Sequence, residues 1–189
     1  MRLFAFIILV PFLIGCATTP PRNKNNACMI LMEKDEWVEP LVKASRTWGI
    51  PKHTILSIIY HESKFISDAK PPKRRFLGMR FFGRRISSAY GYSQALEGTW
   101  EDYKRNTGNS FASRTNFADS VDFIGWYLNR AVRILGISPV NAYELYLSYH
   151  QGIAGFKKKS YLRKPRIQNY ARGVQKTALI YKAQIKSCS

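Results

Sequence analysis

The sequence predicts a mainly α fold, a single helical domain with one small irregular or hairpin segment. Three observations predict it. Apolar residues recur at helical spacing in six stretches between residues 36 and 186. Gly or Pro stands at most of the junctions between those stretches. One stretch, residues 70–90, breaks the pattern with Pro71-Pro72, Gly78 and Gly83 among short aromatic pieces. No internal repeat and no Gly-rich phosphate loop is visible, which argues against a parallel-sheet nucleotide-binding fold.

The chain opens with MRLFAFIILVPFLIGC. One cation, Arg2, precedes an apolar run that is short for a bilayer span and long enough for a leader core. Leu13-Ile14-Gly15-Cys16 resembles the bacterial lipobox. That resemblance implies removal of residues 1–15 and attachment of lipid to Cys16. Ala17 after the Cys fits release to the periplasmic face of an outer membrane. Residues 16–35 begin with a polar, Pro/Asn-rich stretch and read as a tether. The folded domain is expected over 36–189.

Within that domain, residues 36–48 carry a helical stripe of Trp37, Val38, Leu41, Val42, Ala44 and Trp48. Gly49 stops it, and Pro51 suits the first position of the next helix. That helix sets Ile55, Ile58, Ile59 and Glu62 at i, i+3, i+4 and i+7. Residues 97–106 form a further helix, ended by Gly108. The longest runs from 117 to 135, with Val121, Ile124, Leu128, Val132 and Leu135 on one face and Gly136 as its stop. Ser138-Pro139 opens another that runs to about His150, where Gly152 and Gly155 break the chain. Residues 166–186 read as the final helix.

The formal net charge is +18, and removing the leader takes away Arg2 alone. Such an excess calls for an anionic partner. An exported protein rarely meets nucleic acid, so no nucleic acid is expected, and an acidic wall polymer or anionic lipid takes its place. Residues 70–85 hold seven basic residues and no acidic one, and residues 157–166 hold six. Both segments read as flanks of a cleft that holds a polyanion, or as solvated loops. Cys28 and Cys188 lie near the ends of the domain. Domain termini often lie close together, and export brings oxidising conditions. A bridge between them would be worth roughly 4–5 kcal/mol in the chain-entropy model. Three His and the cysteines show no metal spacing, so no metal and no cofactor are expected.

Glu62 is the residue with chemical promise. It shares the stripe of Ile55, Ile58 and Ile59, and a carboxyl on a buried stripe is desolvated and stays protonated near neutral pH. A glycosidic oxygen needs such an acid to leave. After Asp68 the next acidic residue is Glu97. The segment between has no second carboxylate, whereas ordinary glycosidases use two.

Five motifs then line up in order. His61-Glu62-Ser63-Lys64-Phe65 resembles the Glu-Ser motif of the soluble-lytic-transglycosylase family. Ala89-Tyr90-Gly91-Tyr92-Ser93-Gln94 resembles its A-x-G-L-M-Q, with Tyr92 and Ser93 replacing Leu and Met. Gly125-Trp126-Tyr127-Leu128 matches G-x-Y-L. Ser148-Tyr149-His150-Gln151-Gly152 resembles A-Y-N-A-G, with His150 in place of Asn. Gln168-Asn169-Tyr170 keeps the Tyr of a late signature. The resemblance implies a lysozyme-like α+β fold and a lyase acting on peptidoglycan glycan strands. It implies that Glu62 protonates the leaving oxygen between N-acetylmuramic acid and N-acetylglucosamine. The muramic N-acetyl group then assists, and Glu62 takes the C6 hydroxyl proton, leaving a 1,6-anhydromuramoyl end. It further implies that Tyr149 and Tyr170 orient Glu62, and that Ser63, Tyr92, Gln94 and Gln151 support or contact the sugar. Two alternatives stay open: a lysozyme-type hydrolase recruiting Glu97, Asp102 or Glu144, and a wall-binding lipoprotein without catalysis.

Overall fold

A computed structural model describes residues 19–72 and 87–188. The leader, Cys16 and most of the basic insertion 70–85 lie outside them. The described residues form seven helices: α1 (Ala27–Glu33), α2 (Val38–Trp48), α3 (Lys52–Ser63), α4 (Glu97–Thr107), α5 (Phe117–Leu135), α6 (Ala142–Lys157) and α7 (Pro165–Ser187). A 3-10 turn precedes α2 and another links α6 to α7. A single isolated bridge, Tyr90 to Ala95, is the only β pairing among the described residues.

Local chemistry explains most boundaries. Asn26, Asn116 and Asn141 cap α1, α5 and α6 by accepting a backbone N–H two or three residues into the helix. Gly49, Gly108 and Gly136 end α2, α4 and α5 in left-handed conformations. Pro165 opens α7, where its missing N–H costs nothing. The helix expected from Ser138-Pro139 starts instead at Ala142, because Asn141 supplies the cap.

α3 is the central helix. Ile55, Leu56, Ile58 and Ile59 are all fully buried, so it is apolar nearly all round until its last turn. α2 and α5 pack against each other at Gly125. A Cβ there would sit 2.5 Å from the Trp48 ring, so only glycine permits the approach. Trp37 stacks on Phe117 at 4.0 Å and meets Tyr92 edge-on at 5.8 Å.

The expected tether is corrected over residues 19–35, the part of it that the structure describes. Pro21 is buried, and α1 packs Ala27 and Ile30 into the core. Tyr181 donates to the Lys24 carbonyl, and Gln184 bonds both Asn25 and Ala27. Cys28 and Cys188 are joined by a disulfide, with Cα atoms 6.0 Å apart. Polar composition suggested a free segment, but its backbone groups find partners on α7, a contact invisible to local pattern.

Candidate active site

Glu62 stands in the last turn of α3, where the central helix leaves the core and meets a cavity of about 410 Å³. One wall comes from Gln94, Ala95 and Leu96. The other comes from Tyr149, His150 and Gln151 on α6, with Phe123 and Tyr127 of α5 behind. Two glycines shape these walls. Gly91 has φ +75°, and a Cβ on it would lie 1.9 Å from the Arg114 carbonyl oxygen. Gly152 (φ 74°, ψ 155°) breaks α6 in a conformation closed to other residues. The helix therefore ends its first run with His150 and Gln151 at the cavity rim.

Burial pushes the Glu62 carboxyl up to about 7, while the Tyr146 hydroxyl and the Lys64 charge pull it back part of the way. Tyr146 is buried and donates its hydroxyl to the carboxylate. His61, beside Glu62, is pushed down to about 4 by burial and by Lys64, so it is neutral at pH 7. Glu62 is the only acidic residue among the described residues that line the cavity. Glu97 is exposed, Asp102 pairs with Arg105, and Glu144 accepts from Asn141.

The expected supporting residues divide. Gln94 lines the cavity, spending its amide hydrogens on the carbonyls of Ala69 and Gly91, both at 2.9 Å. Its side-chain oxygen is the group left for a ligand. Gln151 also lines the cavity and accepts from Lys164 at 2.7 Å and Ser160 at 3.2 Å. Lys164, from the second basic segment, thus bonds a residue of the cavity wall. Ser63 does not line it. Its buried hydroxyl back-bonds to the Ile59 carbonyl at 3.1 Å, as a serine in a helix's last turn readily does. Tyr92 points into the core against Trp37 and Phe117. Tyr149 lines the cavity but donates to the Ser93 carbonyl at 2.6 Å, and Tyr170 donates to the His61 carbonyl at 2.6 Å. Both hold the backbone around Glu62, and the hydroxyl on the carboxyl itself is that of Tyr146. Tyr146 escaped the motif reading, which began at Ser148. Its position three residues before Tyr149 on one helix was the available signal.

The family model for the transglycosylase SLT domain matches residues 4–188, and the chain belongs to this family. No curated protein matches the chain. Family membership makes it a transglycosylase-type enzyme of the peptidoglycan-acting class.

Proposed function

We propose that the domain is a lytic transglycosylase. It would cleave the β-1,4 bond between N-acetylmuramic acid and N-acetylglucosamine with Glu62 as its acid and then its base. The observation that carries this reading is one half-buried carboxyl, titrating about pH 7, in a cavity with no second acid among its described lining residues. A group with that pKa holds a proton to give and can take one back near neutral pH.

In the first step Glu62 gives its proton to the glycosidic oxygen. The muramic acetamido oxygen attacks C1 as the C1–O bond breaks, doing the work of the missing carboxylate. In the second step the Glu62 carboxylate takes the C6 hydroxyl proton. O6 attacks C1 and displaces the acetamido oxygen, closing the 1,6-anhydro ring. No water is consumed. Tyr146 holds the carboxyl in place through both steps, and Gln94 offers its side-chain oxygen to the sugars, with Gln151 on the other cavity wall. We further propose that Cys16 carries lipid and places the enzyme on the periplasmic face of the outer membrane.

Digestion of purified sacculi, with mass analysis of the fragments, tests the reading. Anhydro ends are expected. Reducing ends would replace it with a hydrolase, and intact sacculi with a wall binder.

A further inference from the structure

The end of the chain carries a charge pattern that catalysis does not use. After Glu144 there is no Asp or Glu, and there are ten Lys or Arg. α7 buries Ala171, Val174, Ala178, Tyr181 and Ile185. Its opposite face carries Arg172, Lys176, Leu179, Ile180, Ala183 and Lys186, all exposed and spaced to share one side of the helix. Leu179 is 56% exposed and Ile180 is 42% exposed. None of these cations pairs with a carboxylate among the described residues, where the ion pairs are Lys104–Glu101 and Arg105–Asp102.

The incoming chain lies against the border of that face. Gln184 bonds the backbone of Asn25 and Ala27, and Ile180 and Lys176 precede it by one and two turns in the same row. Pro21, the first buried residue among those described, comes five positions after Cys16. Fully extended, those five steps reach roughly 18 Å at most. A lipid on Cys16 would leave this domain no room to swing away from the bilayer.

We propose that the outer face of α7 is a docking surface for an anionic phospholipid bilayer. Leu179 and Ile180 enter the headgroup layer, and Arg172, Lys176 and Lys186 meet lipid phosphates. This is the pattern of a helix that lies on a membrane. No described helix is long and apolar enough to cross one. The reach argument rests on the lipid-anchor reading of Cys16, whereas the pattern on α7 stands without it. Docked in this way, the enzyme works on glycan next to the membrane.

The test uses the chain from Ala17 onward, which keeps every described core residue. It is sedimented with vesicles of phosphatidylglycerol in phosphatidylethanolamine, and with phosphatidylcholine alone. Binding to the anionic vesicles only is expected. The combined Lys176→Gln, Leu179→Ser, Ile180→Ser and Lys186→Gln variant should bind at least about ten-fold more weakly, since each cation near an anionic surface contributes appreciably. Its turnover on solubilised glycan strands should match the parent, which also shows that it folds. Equal vesicle binding by the variant overturns the proposal, as does binding to sacculi without binding to vesicles. Fatty-acid labelling of the full chain against Cys16→Ser separates the two readings. Labelled chain with no vesicle binding by α7 leaves the anchor and removes the docking surface. Unlabelled chain that still binds vesicles does the reverse.

Discussion

Two half-buried carboxylates on helices of this domain each receive a tyrosine hydroxyl, and they are set up for different work. Asp122 on α5 is held through both of its oxygens. One oxygen accepts from Trp48 Nε1 at 2.8 Å and the other from the Tyr103 hydroxyl at 2.7 Å. Asn109 extends the network to Tyr103 and Asp119, both at 3.4 Å. Its effect is to tie α2 and α4 to α5. Glu62 on α3 has Tyr146 as its one side-chain donor among the described residues and opens on a cavity. Burial without full compensation is what raises its pKa. The first carboxylate spends its hydrogen-bonding capacity on the fold, and the second keeps capacity for a substrate.

The sharpest break of that contrast is Glu62→Gln. It keeps the shape and removes the transferable proton, so turnover should fall roughly 100- to 10,000-fold. The same change should stabilise the fold at neutral pH and above. Glu62 loses its proton near 4.5 when unfolded and near 7 in the fold. Between those values the native state holds the extra proton, so its stability falls as pH rises, and the deficit is complete above about pH 7. Thermal melting should therefore show the variant gaining up to about 3 kcal/mol at pH 8 and nothing below pH 4. An equal gain at both pH values would remove the burial account.

Asp122→Asn should do the opposite. It places an amide donor where two donors already point, and should cost about 1–3 kcal/mol in denaturant unfolding. Turnover per folded molecule should be unchanged. A loss of turnover with stability intact would make Asp122 part of the site.

Tyr146→Phe sharpens the assignment of the orienting hydroxyl. That hydrogen bond lowers the Glu62 pKa, so its loss should move the basic limb of the pH–rate profile upward. The rate maximum should fall roughly ten-fold. Tyr170→Phe removes a bond to a carbonyl and should leave the limb in place. A larger limb shift from Tyr170→Phe would reverse the two roles.

The smallest effect is expected from Ser63→Ala. Its hydroxyl is buried and bonded to the helix behind it, so stability should change by less than about 1 kcal/mol. The Michaelis constant for solubilised strands should not move. A raised constant would return Ser63 to the sugar-binding set.

The helical class, the course of α2 to α5 and the position of Glu62 on a buried stripe were legible in the sequence. Each depends on spacing, caps and glycine stops within a few residues, and such local rules act on the chain as it is read. The family motifs likewise pointed to the segments around Glu62, Gln94 and Tyr149 that the fold gathers at one cavity. Tertiary structure alone decided which groups meet. Tyr146 is 84 positions from Glu62, and nothing local marks the pair. Ser63 and Tyr92 sit in motif segments, yet burial turns their side chains away from the cavity. The stretch read as a tether is polar enough to be free in water, but Tyr181 and Gln184 reach it from the far end of the chain. Hydrogen bonds between residues distant in sequence carry no period and no cap, so only the packed molecule reveals them.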